Sequence, residues 1–473
     1  MWKFFGVLLG CVCLGTAIFA QGNQPITGKW YGVATSYYGE KQRLIVELNR
    51  QGDQYTGTLQ SPDQTSEAIA FDQVVYRKDT LLLSIADIRF AYTGVWDAAT
   101  QAFKGLFSWS GQQSNFDLSR KEIKKEDLYK RPQEPKPPYP YHTEEVKFVN
   151  RHDSVQLAGT FTRPADNISR YPVVVMISGS GPQDRDEEMA SHKTFLVLAD
   201  YLARNGIASL RYDDRGTAAS GGTYATADIY AFARDAAAAA EYLKGRKDVD
   251  PHSIGLLGHS EGAIIAQIVA ANNPHIAFVV SMAGVGLTGR EMVDQRMIMD
   301  AMLNGEPDSL IRRQLQRYKP YWDALAEDTS IEVAKAKASN VLRNLYHEAP
   351  AEVKQQVNEE EFAGNIDLSP EMLSILRYKP LPYLKQIKCP FMAINGSRDV
   401  QVNATANLTA LERGLTENGN RLVTIRKFEG LNHLFQRCKT CTVTEYGELE
   451  QTIDPLVPEF IAHWILQLPP LGQ

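Results

Sequence analysis

A doubly wound, mostly parallel α/β sheet with an inserted helical cap, preceded by a small all-β domain, is the architecture this sequence predicts. Three observations predict it. From residue 144 onward, β-branched runs at 172–178, 207–212, 254–257 and 277–282 alternate with helical patterns at 193–204, 229–244 and 263–271. Continuous apolar runs of that kind belong in strands buried on both faces, and their alternation with helices is the pattern of a parallel sheet covered on both sides. After 284 the strand rhythm stops and helical spacing replaces it until strands resume at 391. Between 25 and 120 the hydrophobic period is two, with no helical stretch.

The 473 residues exceed what one hydrophobic core normally organises, so more than one folded unit is expected. Hydrophobic residues at 44% and charged residues at 22% are ordinary for a globular chain. A net charge of -6 supplies no basic stripe to neutralise phosphates, which argues against nucleic acid as the main partner and for a small neutral ligand.

Residues 1–20 have the pattern of a signal peptide: Lys3, an apolar run over 4–19, and Ala20-Gln21 as the cleavage point. The run is shorter than the roughly 20 residues a bilayer-spanning helix needs. Export to the periplasm or medium is therefore expected, with no stable membrane span in the mature form. Leu8-Leu9-Gly10-Cys11 resembles a lipoprotein box, so lipidation is the alternative. Cys11 and Cys13 leave with the leader, and Cys389, Cys438 and Cys441 remain. Cys438-Lys439-Thr440-Cys441 reads as a loop staple rather than half a zinc site or a redox motif, because no second CxxC follows and no strand-CxxC-helix context surrounds it.

Strand candidates at 30–34, 43–48, 55–59, 69–76, 80–84, 88–92, 103–107 and 116–118, with turns at Gly52-Asp53 and Ser61-Pro62, make 25–120 a sandwich or barrel. Tyr37, Tyr38 and Trp109 could face a sugar or lipid there, although aromatics in small β-domains more often fill the core. Residues 121–142, centred on Arg131-Pro132-Gln133-Glu134-Pro135-Lys136-Pro137-Pro138, form a proline-rich linker. The catalytic domain occupies 143–473. Asn205-Gly206 marks a helix stop. The cap, at about 285–386, carries helical patterns at 292–303, 310–325, 331–346 and 371–376, and strands at 391–394 and 422–428 with helices at 405–415 and 458–466 complete the sheet.

Gly258-His259-Ser260-Glu261-Gly262 matches GxSxG, directly after the strand at 254–257 and directly before a helix. The pattern alone would arise by chance roughly 0.15 times in such a chain. The strand before it and the helix after it remove most of that chance and point to the nucleophile turn of an α/β-hydrolase. A serine hydroxyl needs a base, and the base needs an acid to orient it, in the chain order Ser, Asp, His for this fold. Asp399 follows the strand at 391–394, where open α/β sheets place ligands. Of the two later histidines, His463 lies in the apolar terminal helix, whereas His433 lies in Gly430-Leu431-Asn432-His433 just after the last strand. The expected triad is Ser260, Asp399 and His433. Oxyanion donors are expected from the amides of Glu261 and of Ser180, with Gly181 in reserve, in the loop Ser178-Gly179-Ser180-Gly181-Pro182. That loop lacks the third glycine and the lysine of the nucleotide motifs. Gln183, Arg185, Asp213 and Asp214 border the same edge as candidate pocket-lining residues, with loop support the more common role for such Asp and Arg pairs.

These residues together are similar to exported bacterial α/β-hydrolases of the esterase type, related to dienelactone hydrolases, that carry a β-rich N-terminal domain. The resemblance rests on 45–48 with 57–62, on Gly179-Ser180-Gly181-Pro182-Gln183-Asp184-Arg185-Asp186, on Arg211-Tyr212-Asp213-Asp214-Arg215-Gly216, on the GxSxG segment and on Leu431-Asn432-His433-Leu434-Phe435. It implies a carboxylesterase for short acyl esters, working without metal or cofactor; apart from the resemblance, the expected partner is a small-molecule ester, carbohydrate-linked esters among the candidates. The Cys438 and Cys441 pair departs from the group. Two other readings stand beside it. A serine peptidase or aminopeptidase of prolyl-oligopeptidase-like type would use the same triad, with Glu187, Asp213 or Asp214 holding a substrate amine, although the N-terminal unit is too short for a propeller of at least four blades of about 40 residues. A catalytically silent binding protein on the same fold is the other, and it would be expected to lack a triad member.

Overall fold

The computed structural model describes residues 26–469 except 36–40, 66, 110–111, 167–169, 328 and 365. The leader, Cys11, Cys13, Tyr37 and Tyr38 lie outside the described residues. The chain divides into two compact units, one of residues up to Ala34 with Gln42–Lys124, the other of Thr35–Lys41 with Lys125–Gln473.

The first unit is a single ten-stranded sheet whose described pairings are all antiparallel. Strands such as Lys41–Gln51 and Phe90–Asp97 alternate buried and exposed positions, as period two requires of a sheet with one wet face. Trp30, Leu44, Val46, Leu81, Phe90, Tyr92, Phe103 and Phe116 fill the core. The sheet curls: Tyr55, near one end of the strand order, meets Tyr76 at the other with ring centroids 6.4 Å apart. The apolar stretch at 69–76 is two strands, Ala68–Ala70 and Gln73–Arg77, broken at Phe71-Asp72 where Asp72 accepts the Ala86 amide. Trp109 packs against this core.

The second unit holds an eight-stranded sheet, β1 (Tyr141–Asn150), β2 (Val155–Pro164), β3 (Tyr171–Ile177), β4 (Ala208–Tyr212), β5 (Val249–His259), β6 (Phe278–Met282), β7 (Phe391–Gly396) and β8 (Val423–Phe428), in the order β1-β2-β4-β3-β5-β6-β7-β8. β1 and β2 are antiparallel, and β3 to β8 are parallel. β1 begins at Tyr141, inside the proline-rich stretch, and its exposed alternation marks an edge strand that a search for continuous apolar runs passes over. Helices cover both faces. α1 (Thr194–Arg204) packs on one side, while α2 (Ile229–Lys244) and α3 (Glu261–Asn272) pack on the other. Asp228 starts α2 by accepting the Tyr230 and Ala231 amides, which satisfies two of the donors a helix N-terminus leaves free.

Between β6 and β7 the cap consists of α4 (Gly289–Leu303), α5 (Asp308–Ala326), α6 (Ile331–His347), the one- and two-turn helices Ala351–Gln356 and Glu359–Ala363, α7 (Pro370–Leu376) and the short Leu381–Leu384. The short ones span too few residues to show a helical period. Leu325, Ala334, Ala338, Leu368, Leu373 and Leu376 give the cap a small core of its own. α8 (Ala404–Thr416) and α9 (Leu456–Gln467) complete the cover of the sheet. Among the described residues no helix is long and apolar enough to cross a membrane. The parallel register brings Ile177 beside Gly258, His259 beside Met282 and Gly396 beside Phe428, so β3, β5, β7 and β8 end along one edge.

Candidate active site

The turn from β5 to α3 at that edge is possible only with glycine on both sides of Ser260. A Cβ on Gly258 would lie 2.1 Å from the Gly262 carbonyl oxygen, and one on Gly262 would lie 2.0 Å from that of Ile177 in β3. The helix start is pressed against two strands, and Ser260 itself takes φ +55 and ψ -115, a strained conformation for a residue with a side chain. Its amide continues the sheet by donating to Met282 at 2.9 Å. Ser260 is partly exposed, while its neighbours are buried.

Asp399 and His433 are brought together although 34 residues separate them. His433 Nδ1 lies 2.8 Å from Asp399 Oδ2, and both side chains are buried. The other Asp399 oxygen accepts the amides of Gln401 at 2.7 Å and Val402 at 2.9 Å, which fixes the carboxylate before it meets the ring. A Cβ on Gly396 would lie 2.2 Å from the Leu431 carbonyl oxygen, so glycine there lets the end of β7 approach the histidine loop. Asn432 builds that loop from within: its Oδ1 accepts the amides of Leu434 and Gln436, and its Nδ2 donates to Gln436 Oε1. The Ser260 hydroxyl makes no hydrogen bond among the described residues. Contacts of this kind are commonly long in an empty site and tighten around substrate.

Two glycine amides of the loop after β3 meet carboxylates. Gly179 N–H donates to Glu187 Oε1 at 2.9 Å, and Gly181 N–H donates to Glu371 Oε1 of α7 at 3.0 Å. The Gly181 amide is thus committed to a cap carboxylate in this conformation. Ser180 between them is exposed. The Glu261 amide opens α3, where the first amides have no acceptor within the helix. Its side chain is buried. Desolvation and the neighbouring Glu371 push its carboxyl well above the usual range, and a hydrogen bond from Ser180 offsets part of that. Tyr224 donates to the same Glu371 oxygen at 2.6 Å. Two carboxyl groups, Glu261 from the turn after Ser260 and Glu371 from the cap, are therefore neighbours.

Arg185 Nε and Nη2 donate to the two Asp213 oxygens at 3.0 and 2.8 Å, and Nη1 reaches Thr160 and Glu145. Asp214 accepts from Ser178 Oγ and from the Gln183 amide, each at 2.9 Å. Burial nonetheless pushes its carboxyl up to about 8. The Gln183 side chain donates to the Ser180 carbonyl at 3.3 Å. These four candidates tie the loop after β3 to the loop after β4. Asp213, already paired with Arg185, has no free edge for a substrate amine, and Glu187 is buried, with its Oε1 2.9 Å from His259 Nδ1. Sequence reasoning did not find the joint role of Glu187 and His259, nor Glu371, Tyr224 or Asn432. His259 and Asn432 stood inside quoted motifs, and Glu187 was expected only as a holder of a substrate amine. Cys438 and Cys441 form a disulfide, and Glu445 holds their loop by accepting the amides of Lys439, Thr440 and Cys441.

Fold and site together define an α/β-hydrolase of the serine-hydrolase type, with a helical cap and an N-terminal β-rich domain. The chain belongs to the X-Pro dipeptidyl-peptidase (S15) family, whose profile matches residues 153–424, more than half of its length. A curated relative, the esterase EstD of Thermotoga maritima, is 27% identical over 66% of this chain and 66% of its own length. An uncharacterised Mycobacterium tuberculosis protein is 32% identical over 29% of this chain and 47% of its own. This chain thus spans just under two thirds of the first relative and about half of the second. Est1E of Butyrivibrio proteoclasticus, solved with ferulic acid bound, is 14% identical with a TM-score of 0.41, covering 68% of this chain and 98% of that one.

Proposed function

We propose that this chain is an exported serine hydrolase that cleaves a carboxylic acyl bond through a covalent intermediate on Ser260. The observation that carries the reading is the buried Asp399 carboxylate 2.8 Å from His433 Nδ1, in a loop bonded to the residue next to Ser260. Asp399 holds the ring with its Nδ1–H bonded, which leaves Nε2 as the base. His433 takes the Ser260 proton, the alkoxide attacks the carbonyl, and the amides of Glu261 and Ser180 receive the oxyanion. The leaving group departs with the proton from His433, and water repeats the sequence on the acyl-enzyme. A fluorophosphonate probe should label Ser260, with the adduct located by peptide mass mapping. An intact chain that takes up no probe there would overturn the proposal in favour of a silent binding protein.

Of the two bonds such machinery can cut, family membership favours a peptide bond near a free amino terminus. The carboxyl pair Glu261 and Glu371 supports the same reading, since carboxyl oxygens accept hydrogen bonds from an ammonium group. A carboxylic ester, the bond expected from the sequence, is the second reading, favoured by the esterase name of the Thermotoga relative. Comparing kcat/KM for dipeptidyl and amino-acyl p-nitroanilides with that for p-nitrophenyl acetate separates them. Preference for the anilides by tenfold or more, about 1.4 kcal/mol of differential transition-state binding, assigns a peptidase, and the reverse assigns an esterase.

A further inference from the structure

We infer that Glu187 and His259 act as one buried positioning pair that sets the oxyanion loop and the loop of the proposed base in register with Ser260; the inference rests on the serine-hydrolase reading above. His259 is the last residue of β5, and its ring is 1% exposed, as is Glu187. Its Nδ1 lies 2.9 Å from Glu187 Oε1, and its Nε2 lies 3.0 Å from the carbonyl oxygen of His433. A carboxylate and a carbonyl both accept, so a ring placed between them carries hydrogen on both nitrogens as an imidazolium. The charge of Glu187 supports that state against the cost of burial. Glu187 Oε1 in turn accepts the Gly179 amide, next to the proposed donor Ser180. A Cβ placed on Gly179 would lie 3.4 Å from both that oxygen and the Ser260 Cβ. One charge pair thus touches the three segments that an acyl transfer must align: the loop after β3, the nucleophile turn and the histidine loop.

A pair serving stability alone would be a poor choice here. Two desolvated charges seldom outdo well-packed apolar groups, and Glu187 Oε2 is buried with no hydrogen-bond partner among the described residues. Costs of this kind are carried where alignment is needed. Elsewhere in the same unit, Arg215 and Asp235 form another buried pair, bonded to Asp153, Asn150 and the Ala231 carbonyl, which touches none of the three segments. That pair provides the control.

The test uses the full chain with Glu187→Gln, His259→Gln, the double variant and Asp235→Asn. For each, kcat and KM are measured separately on the chromogenic substrate the wild type turns over, together with the fluorophosphonate labelling rate at Ser260 and the Tm. Misalignment by an ångström costs about 100-fold in rate, so both single variants should lose roughly 10- to 100-fold in kcat and in labelling rate. KM should stay within about twofold, and the double variant should be little worse than either single one, as for residues that act as a unit. Asp235→Asn should lower Tm while the folded protein keeps its kcat. Wild-type kcat in folded Glu187→Gln or His259→Gln, or losses that multiply in the double variant, would overturn the inference. If His259→Gln does not fold, Glu187→Gln decides, because glutamine keeps an acceptor for Gly179 and removes only the charge. A wild type that takes no label fails for a different reason, the loss of the serine-hydrolase reading itself.

Discussion

The core of the N-terminal sheet and the core of the catalytic sheet are both closed by large apolar side chains, yet only the second buries charge. Among the described residues, every buried charged side chain lies at Glu187 or later, whereas the buried set of the first unit, from Ile26 to Leu118, holds none. Burying a carboxylate or an imidazole costs several kcal/mol unless it is paired, so a fold that needs only stability avoids it. In the catalytic unit many of the buried charges gather at one edge of the sheet: Glu187, Asp213, His259, Glu261, Asp399 and His433 all follow or end strands there. The difference teaches where this chain accepts instability in return for geometry. The interior of the first unit is held by packing without buried charge, and the second carries a polar network whose members constrain one another.

Three substitutions would break or sharpen that contrast. The largest effect is expected from Ser260→Ala, which should cut turnover by about four to six orders of magnitude. Its Tm should stay within a couple of degrees, because among the described residues the hydroxyl makes no hydrogen bond to lose. Steady-state kinetics beside calorimetry checks both halves, and residual activity near wild type would dissolve the distinction between the two cores. Next is Trp30→Ala in the first unit. Trp30 is 2% exposed, donates to the Ile26 carbonyl at 2.7 Å and packs edge-on against Phe103, so its loss should cost about 3–5 kcal/mol in that unit. Thermal unfolding should show the lowered transition while kcat of the catalytic unit is kept; a matching fall in kcat at temperatures where the sheet is still folded would show that the units are not separable in function.

The smallest effect belongs to Asp214→Asn and depends on pH. With its carboxyl raised to about 8, Asp214 holds a proton in the folded chain that an unfolded chain, with an ordinary value of about 4, has already released. Folded protein binds more protons across that window, so the contribution of Asp214 to stability is present below about pH 4 and declines as pH rises through 8. Asparagine keeps a neutral acceptor for the Gln183 amide and removes the titration. The Tm of the variant relative to wild type should therefore rise by a few degrees between pH 5 and pH 9. A flat difference would mean that the hydrogen bonds from Ser178 and Gln183 keep the group charged.

How far the chain could be read follows from how local each signal is. The strands at 172–178 and 254–257 and the helix at 229–244 carried enough β-branched or periodic residues to be seen directly. GxSxG was readable because the two glycines are demanded by backbone atoms a few residues or one strand away. Glu371 was not: its contacts to Gly181 and Tyr224 span 190 and 147 residues, and in the sequence it is one acid among many on a cap helix. The Glu187 and His259 contact spans 72 residues and joins a charged loop to a motif position that tolerates many residue types. The break at Phe71-Asp72 was hidden for the opposite reason, since the apolar run continues through a bend that only the Ala86 contact explains.

What the sequence determined by itself was the order of strands and helices, the place of the cap between them and the three positions expected to carry a triad. These follow from period, β-branching and turn residues, all properties of short segments. Only the tertiary structure decided which buried groups are charged, which amide of the loop after β3 is already taken, and which acids face one another across the cap. The reason is physical: the free energy of an ionisable side chain depends on the solvent it loses and the charges it gains, and folding brings both from parts of the chain that no local pattern connects.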